Sequence, residues 1–165
     1  MPVQMHYGDN LIAPYRVLDL TDGKGVFCTK LLADYGADVV RIEPPTGDPS
    51  RAKGPFPNDD PGTESSAYYL FYNTNKRSIT LSLETDLGQS IFKQIAADAD
   101  VVVESLPVGY LKTLGLDYES LREFNPGLIM ASISPFGQTG PWKHFQSTDL
   151  IAMAASGFMQ ITGVP

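Results

Sequence analysis

The chain has 165 residues, with 12 Lys and Arg against 19 Asp and Glu, and carries a formal charge of −7. That length is one ordinary globular domain's worth of sequence, the 42% hydrophobic content argues against disorder, and the acidic balance argues against a nucleic-acid partner. A single cysteine, Cys28, can form neither an internal disulfide nor a metal knuckle, so a reducing, cytoplasmic setting is expected.

Residues 1–15 read as an N-terminal arm without a basic and then apolar leader pattern. From Arg16 the signals alternate between strand and helix. Val17-Leu18-Asp19-Leu20 is a short apolar run ended by Thr21-Asp22-Gly23. Val26 to Tyr35 then sets Phe27, Leu31, Leu32 and Tyr35 at helical spacing, and Gly36 stops it. Asp38 to Glu43 is β-branched and ends at Pro44-Pro45, completing a βαβ unit. Residues 44–66 hold too many prolines and glycines for regular structure and form a long loop. The aromatic residues Tyr68, Tyr69, Phe71 and Tyr72 are expected to pin its far end to a core, and Arg51 and Lys53 within it to be solvated.

Ser78 to Leu83 alternates as a strand. Thr85 caps a helix with Leu87, Ile91, Phe92 and Ile95 on one face. Asp100 to Glu104 is a buried-type parallel strand, Pro107 opens a short helical segment to Thr113, and a further helical turn runs from Asp117 to Phe124. Leu128 to Ile133 is the fifth strand, and Ser147 or Thr148 caps a helix through Met159, a stretch too short to span a bilayer. Strands alternating with helices define an α/β fold: an open, mostly parallel, Rossmann-like sheet covered on both faces.

In such sheets ligands bind beyond the carboxyl ends of the strands. The segments to inspect are therefore 21–25, 43–48, 81–84, 104–107 and 134–140. Gly23-Lys24-Gly25 after the first strand, with Glu43 about 20 residues on, is half of a dinucleotide or S-adenosylmethionine fingerprint. Phe27 and Cys28 stand where a third small residue belongs, and a plain tight turn with Lys24 exposed explains the segment as well. Lys76-Arg77 beside Asn73 and Asn75 reads either as a phosphate-binding cluster or as a solvated turn. Cys28 is read as a packed, inert thiol. His6 and His144 lack metal-ligand spacing, so no metal is expected, and Asp149 is a first-turn carboxylate.

Taken together the segments resemble the family III CoA-transferases, the group of formyl-CoA and carnitine CoA-transferases that includes alpha-methylacyl-CoA racemase. The resemblance rests on Val17-Leu-Asp-Leu-Thr21, Leu31 to Glu43, Gly47-Asp-Pro49 with Arg51, Asn73 to Ser78, Ala99 to Glu104, Leu114 to Tyr118, Asn125-Pro126 and Ser132 to Pro141, in that order. It implies that coenzyme A lies against Lys24 and Gly25, against Leu81, Ser82 and Leu83, and against Ser105, Leu106 and Pro107. It implies acyl-CoA and a carboxylic acid as substrates, a homodimer, and covalent catalysis by an aspartate carboxylate.

The same resemblance places that aspartate a short way beyond Pro165, so no residue here is assigned as nucleophile and Asp149 is not recruited. The expectation is an N-terminal portion of the large domain over residues 16–165, inactive alone, its apolar 148–159 helix driving association. Lys24 stands where relatives carry an active-site Gln, and Pro44 where they carry an Arg against the nucleotide; Lys112 is the substitute cation. Thr148 replaces the His of the racemase branch, which lowers that reading. A non-catalytic CoA-binding or assembly module and an S-adenosylmethionine or NAD enzyme are the alternatives.

Overall fold

A computed structural model describes residues 11–13, 15–62 and 64–163; His6 and most of the expected arm lie outside them. Five strands, β1 (Arg16–Leu20), β2 (Asp38–Glu43), β3 (Arg77–Thr80), β4 (Val101–Glu104) and β5 (Ile129–Ser132), form one all-parallel sheet in the order β3-β2-β1-β4-β5. The first three strands build outward from β1 in one direction, and the chain then crosses to the other side of β1. The switch point lies between β1 and β4, where a crevice opens at the strand ends.

Alternation along β1 divides the core. Leu18 and Leu20 face one side with Ile42, Val102 and Phe92; Val17 faces the other with Val39, Val103 and Ala33. The first side is covered by α3 (Asp86–Ala97), α4 (Tyr110–Thr113) and α5 (Tyr118–Arg122), which follow α1 (Val26–Asp34) and α2 (Ala67–Asn73) in the chain. The second is covered by α1, on which α2 packs. Thr85 caps α3 by accepting from Gly88 N at 3.0 Å. Phe92 is wholly buried on α3, whereas Leu87 in its first turn extends past the core and is exposed.

Three expectations change. β3 ends at Thr80 and not at Leu83, because β2, its ladder partner, is stopped by Pro44; one further bond, Leu81 N to Glu43 O at 2.9 Å, closes the pairing. The helix expected from Thr148 to Met159 is two: α6 (Asp149–Ala155), capped by Thr148, and α7 (Phe158–Ile161). Gly157 separates them at φ 78°, a left-handed conformation that ends a helix. Of the aromatic residues after the long loop, Tyr69 alone is buried, while Phe71 stays on the surface.

Leu150, Ile151, Phe158, Met159 and Ile161 are all exposed on α6 and α7. No helix among the described residues is long and apolar enough to cross a membrane.

Candidate functional site

The strand ends are organised by buried charge. Asp19 on β1 is wholly buried and accepts five hydrogen bonds: from Thr21 N (2.9 Å) and Oγ1 (2.7 Å), Arg41 Nη1 (2.9 Å), Thr29 Oγ1 (2.7 Å) and Lys76 Nζ (2.9 Å). Arg41 continues to Asp48, whose other oxygen accepts from Ser50 N and starts a 3-10 turn at Pro49–Ala52. Beside it, Glu43 accepts from Asp48 N, Tyr69 Oη, Ser78 Oγ and both Nε and Nη2 of Arg51, at 2.5–3.0 Å. The long loop is thus fastened to Arg41 and Glu43 of β2 through its own Asp48 and Arg51, with Asp19 of β1, Tyr69 of α2 and Ser78 of β3 filling the remaining hydrogen bonds.

This arrangement corrects four readings. Arg51 is not solvated: it forks Glu43, reaches Glu64 and stacks 3.8 Å from the Tyr69 ring centroid. Lys53 is exposed as expected, with its ammonium 5.0 Å from the Tyr68 ring centroid. Lys76 and Arg77 are not a phosphate cluster, since Lys76 is consumed by Asp19, Thr29 and Asn73 and Arg77 by Asp38. Glu43 has its oxygens filled by protein donors, which removes the ribose partner that a nucleotide fingerprint needs. Cys28 is exposed and not packed, because α1 turns that side outward.

Burial alone would raise the Asp19 pKa, but Arg41 and Lys76 outweigh it and hold the carboxyl below its ordinary value. The Arg51 fork, with Ser78 and Tyr69, depresses Glu43 more strongly. A carboxylate whose folded pKa is depressed stabilises the fold above its unfolded pKa, about 4, and loses that contribution as pH falls toward the folded value. Thermal melts should therefore hold steady from pH 7 to about 5 and drop progressively below about 4. Glu43→Gln should flatten that decline.

Two depressions meet above the β1–β4 switch point. The first, about 620 Å³, is walled by Pro44 and Pro45 on one side and by Leu81, Ser82, Leu83, Leu106 and Tyr110 on the other, with Thr21, Asp22 and Arg41 lining it too. Tyr110 Oη lies 3.4 Å from Glu84 at its rim. The second, about 380 Å³, shares Asp22 and Leu106 with the first and adds Lys24, Ser105, Pro107, Ser134 and residues 143–147. Ser105 fixes the junction: its Oγ accepts from Asp22 N at 2.6 Å and donates to Asp22 Oδ1 at 2.7 Å. Burial would raise the Asp22 pKa, but the Lys24 and Ser105 hydrogen bonds lower it further than burial lifts it.

Seven of the residues singled out by sequence therefore surround one continuous cleft: Lys24, Leu81, Ser82, Leu83, Ser105, Leu106 and Pro107. Gly25 sits beneath it. A Cβ there would meet Thr21 Cγ2 at 2.7 Å and Ile133 Cδ1 at 2.9 Å, so this glycine seats the start of α1 against the sheet. Lys112 lines a third depression with Glu104, Asp117 and Glu119, which adjoins the second and shares Pro107, Val108, Lys143 and His144 with it. Sequence reasoning missed Arg41 and Tyr110 as wall residues, while Pro45 falls in the 43–48 segment it named; the switch-point rule names strand ends, whereas Tyr110 arrives from the helix after β4.

An open parallel α/β sheet with a cleft at its switch point is the architecture in which doubly wound proteins hold small molecules. The chain belongs to CoA-transferase family III, whose sequence profile matches residues 12–165. It is 41% identical over 150 residues to the succinyl-CoA:(R)-benzylsuccinate CoA-transferase subunit BbsE of Thauera aromatica, covering 91% of this chain and 37% of that one. It is 46% identical over 144 residues to a succinate–glutarate CoA-transferase of Agrobacterium fabrum (strain C58), covering 86% and 36%. A CAIB/BAIF family protein from Brucella suis superposes with a TM-score of 0.86 at 39% identity, over 94% of this chain and 42% of that one. The chain thus spans well under half the length of these relatives.

Proposed function

We propose that these residues form the coenzyme A-binding portion of an acyl-CoA:carboxylate CoA-transferase. The observation that carries this reading is the continuous cleft: an apolar slot between Pro44-Pro45 and Leu81–Leu83, Leu106 and Tyr110, opening past Asp22 into a polar chamber. A slot of that kind suits a purine and a pantetheine arm, with the thioester end directed toward the chamber. Lys112 supplies a nearby ammonium without an ion-pair partner among the described residues, in place of the cation that Pro44 lacks. The two transferases compared above act, by name, on succinate, glutarate and benzylsuccinate, all dicarboxylic acids, and a dicarboxylic acid is the proposed acceptor or donor class.

In the proposed reaction an aspartate carboxylate attacks the thioester carbon, expelling CoA thiolate and leaving a mixed anhydride. The thiolate attacks the enzyme's own carbonyl carbon and releases the donor acid. The acceptor carboxylate then attacks the enzyme–CoA thioester, freeing the thiolate again. Its attack on the acceptor's acyl carbon makes the new acyl-CoA and restores the aspartate. None of the 165 residues is assigned that role, and the complete enzyme is proposed to be a homodimer in the cytoplasm. Isothermal titration of this chain with CoA is the test. Saturable binding is expected, weakened at least tenfold in Leu83→Asp, because a carboxylate in an apolar wall is costly to desolvate. Absence of heat with millimolar CoA would sink the reading.

A further inference from the structure

Eight of the twelve Lys and Arg side chains form ion pairs within the described residues: Arg16, Lys24, Lys30, Arg41, Arg51, Lys76, Arg77 and Arg122. Of the four that do not, only Lys143 borders the cleft described above. It closes a turn through Lys143 N to Gly140 O, and the residue is partly buried. Lys143 is partly buried in a chain of net charge −7 and pairs with no carboxylate among the described residues, so an anionic ligand can reach it without displacing a protein partner.

We infer that the 380 Å³ chamber is a carboxylate-specificity pocket in which Lys143 receives the distal carboxylate of a dicarboxylic acyl group. This rests on the CoA reading of the neighbouring slot and names what its acyl end carries. The charges facing the chamber are Asp22, Lys24, Lys143 and His144. Asp22 and Lys24 cancel through their ion pair, which leaves the Lys143 ammonium as the cation on this lining without an ion-pair partner among the described residues.

One charge matches a carboxylate. A phosphate monoester carries nearly two and is held by an Arg fork or several cations, neither of which this chamber offers, and the Asp22 carboxylate opposes it. Gln146 lies on the same wall, whereas the Ser147 hydroxyl there already donates to Thr148 O at 3.0 Å. Ser134 lies on the chamber's lining with its Oγ buried and without a hydrogen-bond partner among the described residues. A rotamer change that turns this hydroxyl toward a bound oxyanion gives it an acceptor.

The test is titration of this chain with three ligands: CoA, its S-(3-carboxypropyl) thioether and its S-butyl thioether, which differ only in the end of the chain. Wild type should bind the carboxypropyl compound about tenfold more tightly than the butyl compound, the least that a charge-assisted hydrogen bond contributes. Lys143→Ala should abolish that difference with CoA affinity unchanged within twofold, and Lys143→Arg should restore most of it. Equal weakening of all three ligands in Lys143→Ala would assign the ammonium to the phosphates of CoA and overturn the inference, as would a wild type that does not discriminate. Should CoA itself fail to bind, the CoA reading falls alone if free glutarate still shifts the backbone amide signals of residues 143–147. The inference falls with it if glutarate leaves them in place.

Discussion

Asp19→Ala is expected to destabilise the chain by about 3–5 kcal/mol, the cost of breaking a buried ion pair by deleting one partner. Removal of this carboxylate leaves Lys76, whose side chain is 1% exposed, without its counter-charge, and leaves Arg41, 4% exposed, with Asp48 as its remaining ion-pair partner. Asp19 also holds Thr21 by both its amide and its hydroxyl, so the first wall residue of the cleft loses its anchor. Asp19→Asn keeps the shape and some of the hydrogen bonds but not the charge, and should fall between wild type and alanine. Urea denaturation of the three proteins measures the series. A loss below about 1 kcal/mol in Asp19→Ala, the scale of an exposed pair, would show that the network does not fasten the strand ends.

The second large effect lies at Gly88 on α3. A Cβ there would stand 1.7 Å from the Ser82 carbonyl oxygen and 2.7 Å from its carbon. The obstacle is backbone, so a flexible side chain cannot absorb the clash. The helix and the 81–84 segment must separate, and that segment is one wall of the cleft. Gly88→Ala is expected to cost about 3 kcal/mol, the upper part of the range for overpacking, and to weaken CoA binding even at temperatures where the protein is fully folded. Far-ultraviolet melting and titration at 10 °C separate the two losses. A folded Gly88→Ala protein with wild-type CoA affinity would mean that the wall is not a ligand contact.

Much of this fold was legible because parallel strands between helices leave strong local signals. Asp38–Glu43 is bounded by Gly36 and Pro44, and both ends match the observed strand. Thr85 and Thr148 are caps by residue type and by geometry. The charge network was not legible. Arg51 lies eight residues from Glu43 across a proline-rich loop, and Lys76 lies 57 residues from Asp19. Nothing in local composition distinguishes a lysine that folds inward from one in a solvated turn, because the difference is a buried carboxylate supplied by a distant strand.

The candidate site divides the same way. Leu81–Leu83 and Ser105–Pro107 follow strands and are found by the switch-point rule. Tyr110 and Lys143 reach the cleft from a helix and from a loop whose paths the rule does not describe. The break of the last helix at Gly157 was available in the sequence as Ser156-Gly157, but the apolar residues on either side of it keep helical spacing and concealed the stop.

The central claim, that coenzyme A occupies the cleft at the β1–β4 switch point, is tested most directly by mapping amide chemical shifts of the labelled chain as CoA is added. The account predicts saturable shifts at residues 22–25, 81–84 and 105–107, with Asn58 to Gly62 at the far side of the long loop unmoved. Shifts confined to that loop, or none at millimolar CoA, would contradict it.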